Sequence, residues 1–286
     1  MKTINLIGCG RVGKVLAQRW HALHTLQIQD VMTTSLPSAQ AAVQWIGAGH
    51  AVAHLQAMRS ADLWLIAVPD RNIADIAASL AETWNHHQAA AQNSVAAAAP
   101  MSAFHCSGAL ASSELSPLSA LGWQIASAHC ILSFAKPELA LQQINGTPCA
   151  LEGDALILET LHRLYSAIGL KPFALTAEHK MLYHAAAVFA TNFLPVLQNT
   201  AERLWQSAGM PAEHIAHLRA SLLQNSVDNI VRLGPQAALT GPASRGDLEL
   251  VQHQGQAVGE WDKAAGRAYL ALSEMAKRLA QSDPTQ

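Results

Sequence analysis

Thr3-Ile4-Asn5-Leu6-Ile7-Gly8-Cys9-Gly10-Arg11-Val12-Gly13 is the stretch whose reading decides the fold. A short apolar run meets three glycines spaced as GxGxxG, after which Val15, Leu16, Arg19 and Trp20 follow helical spacing. That order predicts a strand, a tight turn and a helix. Gly8 permits the sharp turn, Gly10 lets a diphosphate approach the backbone N–H groups at the helix N-terminus, and Gly13 allows the helix to pack closely on the strand. With Cys9, Arg11 and Val12 between them, these residues form the expected cofactor turn.

Outward from this turn, residues 28–32 read as a second strand, and 39–45 and 52–59 as helical or connecting segments. Residues 62–68 form an almost continuous apolar run stopped by Pro69-Asp70, as expected for a central parallel strand covered on both faces. A helix at 73–84, a strand at 102–106, the turn Ser107-Gly108, a helix at 112–121 and a strand at 124–130 continue the alternation. Residues 148–151 and 171–175, with a helix at 154–168, would add outer strands. Strands alternating with helices imply an α/β fold, a doubly wound and mostly parallel sheet with right-handed crossovers. From residue 177 strand signals fade, and 178–197, 199–208, 212–233 and 256–280 read as helices. The expected division is a dinucleotide-binding domain at 1–176 and an all-helical domain at 177–286.

Composition narrows the function classes. Of 286 residues, 18 are basic and 20 acidic, giving a formal charge of −2 in a chain that is 50% hydrophobic. Neither disorder nor a dominant polyanion-binding role fits, so nucleic acid is not an expected partner. No window offers about 18 consecutive apolar residues, and Lys2 is followed too closely by the glycine turn for an export signal. Cys9, Cys106, Cys130 and Cys149 form no CxxC pair and lie in apolar segments, the pattern of reduced, buried thiols. A cytoplasmic protein is expected.

Cofactor choice turns on the end of the second strand, where an NAD-selective site carries an acidic residue. Here that stretch is Thr33-Thr34-Ser35. Hydroxyls can hydrogen-bond a 2′-phosphate without repelling it, and Arg11 can reach the same group, so NADP is favoured over NAD. Asp30 would reverse the preference if the strand ended three residues earlier.

Ligands of such sheets bind outside the carboxyl ends of the strands. Val68-Pro69-Asp70 would run along the nicotinamide ribose, or simply stop the strand. His105 and Ser107 share one strand face, with Ser107 the better ligand. His129 ends the next strand and, if it titrates near neutrality, can give or take the proton that accompanies hydride transfer. Zinc held by His105, Cys106, His129 and Cys130 is disfavoured, since adjacent strand residues face opposite sides; no metal is expected. In the helix that follows, Lys180, His184 and Thr191 share a stripe with Asn192 at its margin, facing either a cofactor cleft or solvent. The turn-rich stretch 239–247 can present Thr240 and Arg245 to an anion, or serve as a plain connection.

The chain resembles Rossmann-like proteins whose helical C-terminal half has no assigned function and which are described as NADP oxidoreductases. The resemblance rests on GCGRVG at 8–13, AVPD at 67–70, HCSGAL at 105–110, LEGD at 151–154, LYHAAAVFATNF at 182–193 and ALTGPASRGD at 238–247. Two departures stand out. Thr34-Ser35 lacks the arginine of the usual Ser-Arg-Ser, and His129-Cys130 replaces His-Pro. More distantly the chain is similar to pyrroline-5-carboxylate reductase, prephenate dehydrogenase and 6-phosphogluconate dehydrogenase-like proteins. That resemblance implies a homodimer through the C-terminal helices with clefts shared between chains. It also matches Ser107 and His129 to the serine and histidine of prephenate dehydrogenases, and the loop around Thr240 to Asp247 to a substrate loop of the reductases. The resulting expectation is an NADP-dependent oxidoreductase acting on a small, anionic metabolite at a cleft between the halves. His129 would be general acid/base, Ser107 would orient the reacting group, and Lys180, His184, Asn192 and Arg245 would position substrate. The alternative is a non-catalytic NADP sensor dimer.

Overall fold

Leu63-Trp64-Leu65-Ile66 shows why the sheet is covered on both sides: all four side chains are buried, and successive residues enter different cores. In the computed structural model, which describes residues 1–90 and 101–282, this segment is β4 (Leu63–Ile66) at the centre of an eight-stranded sheet. Leu63 and Leu65 join the core under α1 (Arg11–Ala22), α2 (Leu36–Ile46), α5 (Pro137–Gln143) and α6 (Ala155–Ala167). Trp64 and Ile66 join the core under α3 (Ile73–Ala90) and α4 (Ser116–Ser119). Each fully buried side chain of this size contributes roughly 1.5–3 kcal/mol.

The other strands are β1 (Thr3–Ile7), β2 (Gln27–Met32), β3 (His50–Val52), β5 (Ser102–His105), β6 (Gln124–Cys130), β7 (Pro148–Gly153) and β8 (Lys171–Ala174), ordered β3-β2-β1-β4-β5-β6-β7-β8. The first six run parallel, β7 is antiparallel to β6, and β8 is parallel to β7. The chain winds outward from β1 to β3 and then from β4 to β6, so the order reverses between β1 and β4. That reversal places the ends of β1 and β4 at the switch point where such sheets open a crevice. The doubly wound, mostly parallel sheet with a helical region after it is the fold expected from the sequence.

Of the two readings of 52–59 the connecting one holds: the segment carries the end of β3 and a short 3₁₀ turn. Other local expectations need correction. The helix expected at 256–280 is two helices, α10 (Leu248–Trp261) and α11 (Lys263–Gln281). Asp262 is extended (φ −153°, ψ 119°) and caps α11 by accepting from Ala265 N at 2.8 Å. The helix expected over 178–197 is α7 (Lys180–Ala187), a π turn over Val188–Asn192 and α8 (Phe193–Ser207). The π turn breaks the 100° progression, so the stripe linking Lys180 and His184 to Thr191 and Asn192 does not survive as drawn.

The chain folds as two compact units, Met1–Thr191 and Asn192–Gln286. The first unit extends beyond β8 to include α7. The second consists of α8, α9 (Ala212–Ala238, kinked at Gly234 before Pro235), α10 and α11. Its closest packing is between α10 and α11, where a Cβ on Gly266 would lie 2.5 Å from Gly259 Cα. Among the described residues Ile215 and Val251 are its only buried hydrophobic side chains, whereas Val196, Ile230, Val231 and Leu233 are all at least half exposed. No helix among the described residues is long and apolar enough to cross a membrane.

Candidate functional site

The loop after β1 is shaped by contacts with the end of β4. Gly8 has φ +77°, and a Cβ there would lie 2.6 Å from both Ala67 O and Val68 Cγ1. Its N–H donates to Met32 O at 2.8 Å, tying the turn to the end of β2. A Cβ on Gly13 would lie 3.1 Å from Ala67 Cβ, so the helix sits close against the strand. Gly10 differs from both: nothing lies within 4 Å of where its Cβ would be. Open space there is what an approaching ligand needs. Gly10 also N-caps α1 without a side-chain hydrogen bond, and the first turn holds no acidic residue, leaving its N–H groups and their partial positive charge for an anion. Cys9 is buried, with its thiol pushed up to about 12 by desolvation, while Arg11 is exposed. These residues fit a dinucleotide's diphosphate.

At the end of β2, Asp30 is fully buried and bound by Arg59: Oδ1 accepts from Nη2 at 2.6 Å and Oδ2 from the backbone N–H at 2.7 Å. The strand continues two residues beyond it to Met32. Asp30 is therefore committed inside the sheet, and Thr33-Thr34-Ser35 occupies the position after the strand. Thr33 donates to Ser35 O at 3.0 Å, Ser35 N-caps α2 through Ser38 N at 3.3 Å, and Thr34 is exposed.

Beyond the ends of β4, β5 and β6 a second group of polar side chains converges. Ser107 Oγ donates to Asp70 Oδ2 at 2.8 Å and accepts from Ala109 N and Leu110 N at 3.2 and 3.0 Å, which uses all its hydrogen-bonding capacity. Its carbonyl accepts from Ser127 Oγ at 3.1 Å and from Lys180 Nζ at 3.2 Å, and Lys180 also donates to Ser127 Oγ at 2.7 Å. Lys180 is fully buried, and that burial lowers its pKa against the pull of Glu152 and Asp70. Glu152, opposite Ser127 in the β6–β7 pairing, accepts from Ser112 N and Oγ, each at 2.7 Å.

His129 Nδ1 lies 2.9 Å from Tyr183 Oη, which also donates to His129 O at 3.3 Å. Both bonds form together if Nδ1–H donates to the phenol, leaving a lone pair on Nε2. The rings of His129 and His184 are 5.7 Å apart, and a Cβ on Gly108 would strike both, at 2.8 Å from His129 Cε1 and 2.5 Å from His184 Cδ2. Burial first, then His184 and Lys180, press the His129 pKa down to about 4. The expectation of a ring titrating near neutrality is corrected: in the free protein His129 is neutral. His105 is buried and locked, with Nε2 bonded to Ala111 O at 3.0 Å and Nδ1 accepting from Ser107 N at 3.1 Å.

The first unit thus brings Ser107, His129, Lys180 and His184 together with Asp70. Asn192, Thr240 and Arg245 belong to the second unit; Thr240 and Arg245 are exposed in the connection between α9 and α10. Sequence reasoning gave Ser127, Tyr183 and Glu152 no role. Ser127 is a fully buried hydroxyl inside an apolar strand, and Tyr183 stands three residues after Lys180 on the same helical face, so both left a signal.

Residues 3–89 match the family described as NADP oxidoreductase, coenzyme F420-dependent, and residues 147–276 match a domain of unknown function, DUF2520. The first match contains the glycine turn and Asp70, the second Glu152, Lys180, Tyr183 and His184, while Ser107, Ser127 and His129 fall between them. No curated protein gave a significant sequence match. Among solved structures, protein TM1727 from Thermotoga maritima is 24% identical, with a TM-score of 0.70 over 97% of this chain and 98% of that one. A reductive aminase from Aspergillus terreus, in complex with NADPH and ethyl-5-oxohexanoate, is 16% identical with a TM-score of 0.62 over 98% and 94%. A pyrroline-5-carboxylate reductase from Coxiella burnetii is 12% identical with a TM-score of 0.56 over 96% and 98%. These likenesses show a shared fold.

Proposed function

We propose that the chain is an NADP-dependent oxidoreductase acting on a small anionic metabolite. The observation that carries the reading is the open side of Gly10 above the uncapped start of α1, at the switch point between β1 and β4. The family assigned to residues 3–89 and the NADPH complex of the similar reductive aminase support the choice of cofactor. Gly8 to Gly13 would hold the diphosphate, Thr33, Thr34, Ser35 and Arg11 the 2′-phosphate, and Val68, Pro69 and Asp70 the nicotinamide ribose. Bound there, the nicotinamide supplies or accepts a hydride.

The protein's own residues handle the proton and the orientation. Neutral His129 offers Nε2 as a proton acceptor when substrate is oxidised. An anionic substrate beside it favours the imidazolium, raising its pKa so that the same ring can donate in reduction. Lys180 has no exposed surface, so it acts as a positioning charge through Ser127 and the Ser107 peptide. Ser107 orients the reacting group by exchanging Asp70 for substrate, with His184 beside it. The second unit's exposed Val196, Ile230, Val231 and Leu233 support a homodimer through the C-terminal helices, a cover that two buried hydrophobic side chains cannot replace.

The test is calorimetric titration with NADPH and NADH, followed by NADPH absorbance in a screen of carbonyl, imine and hydroxy-acid metabolites. Tighter NADPH binding and turnover of an anionic substrate are expected. Binding without turnover would favour a sensor, and tighter NADH binding would overturn the cofactor assignment.

A further inference from the structure

We propose that the depression between α6 and β8 is a second binding site, shaped for the zwitterion of an amino acid with an apolar side chain. Its cavity measures about 330 Å³ and is lined by Leu151, Leu158, Glu159, His162, Arg163, Phe173 and Ala174. That volume is at the small end of ligand pockets, suited to a metabolite rather than a peptide or a dinucleotide. Leu151 is buried and Leu158 packs on the core, while Phe173 leaves 38% of its surface exposed, an aromatic platform on the sheet's edge strand.

The polar side of the cavity determines the ligand's ends. Glu159 and Arg163 are one helical turn apart on α6, in the order that ordinarily forms an ion pair. Among the described residues, neither takes part in an ion pair or a side-chain hydrogen bond. Arg163 can therefore receive a carboxylate in bidentate fashion, and Glu159 an ammonium, while the hydrocarbon body covers Leu158 and Phe173. One molecule with both charges and an apolar side chain satisfies all three features. The site also touches the reactive group described above. Phe173 meets Tyr183 edge-on at 6.2 Å, and Tyr183 lies 2.9 Å from His129 Nδ1.

Calorimetry on the full chain without nucleotide tests the site directly, with leucine and phenylalanine as probes, 4-methylpentanoate lacking the ammonium and leucinamide lacking the carboxylate. Leucine should bind saturably. Arg163→Gln should weaken leucine and 4-methylpentanoate roughly tenfold or more, the size of a lost charge-assisted bond. Glu159→Gln should weaken leucine and leave 4-methylpentanoate unchanged. Both substitutions lie at exposed helix positions, so folding should be retained. Absence of saturable binding at millimolar leucine and phenylalanine, or equal binding by wild type and both variants, overturns the proposal. Neither outcome depends on whether the glycine turn binds NADPH.

Discussion

The glycine turn and the Ser107–Lys180–His129 cluster sit beyond the same sheet edge but are built in opposite ways. The turn is backbone: six consecutive residues whose work is done by amides, shape and missing Cβ atoms. The cluster is mostly side chain: Asp70, Ser107, Ser127 and Lys180 form one hydrogen-bonded group and His129 and Tyr183 another, from residues spread over more than 100 positions of sequence. The first should fail when an atom is added, the second when a polar atom is removed.

The largest effect should come from Gly8→Ala. The new methyl would press on Ala67 O and Val68 Cγ1 in a backbone conformation that alanine avoids, costing on the order of 3 kcal/mol and abolishing nucleotide binding. Gly10→Ala sharpens the contrast. Its methyl meets no protein atom, so the melting temperature should stay near wild type while NADPH affinity falls at least tenfold. A stable Gly10→Ala protein with undiminished affinity would show that nothing approaches that face.

In the cluster, acid should break what added atoms break in the turn. His129 has a folded pKa near 4 and an unfolded one near 6.5, so the unfolded chain binds more protons between those values. Its contribution to stability is then complete above about pH 6.5, shrinks by about 3 kcal/mol as pH falls to about 4, and changes no further below that. Chemical denaturation at a series of pH values should show this slope, and His129→Gln should flatten it. An unchanged slope in the variant would remove the case for a buried neutral ring.

Ser127→Ala should cost about 2 kcal/mol, because it takes a 2.7 Å acceptor from the fully buried Lys180 ammonium. Denaturant midpoints would measure it, and Ser127→Thr, which restores the hydroxyl, should recover most of the loss. If alanine and threonine behave alike, the Lys180–Ser127 bond contributes little.

The same difference explains what could be read in advance. GCGRVG is contiguous and its chemistry is local, so strand, turn and helix were legible from one stretch. Leu63 to Ile66 announced a doubly covered strand in the same way. The cluster was legible only as separate candidates, because Ser107, His129 and Lys180 become neighbours through the β4-β5-β6 order and the docking of α7. The low pKa of His129 could not be anticipated, since it arises from burial and from His184 and Lys180, residues distant in sequence. The π turn at Val188–Asn192 lies in an ordinary-looking alanine-rich segment whose composition fits an uninterrupted helix.

Arg11→Ala is the smallest perturbation and the one that separates function from stability most cleanly. Arg11 is exposed at the first position of α1, where its positive charge faces the positive end of the helix dipole. Removing it should leave stability unchanged or raise it by a few tenths of a kcal/mol. If its guanidinium instead serves the 2′-phosphate, NADPH affinity should fall roughly tenfold while NADH affinity stays the same. Calorimetry with both nucleotides beside a thermal melt reads the two quantities together. A fall in stability would make Arg11 structural, and equal losses for NADPH and NADH would move 2′-phosphate recognition to Thr33, Thr34 and Ser35.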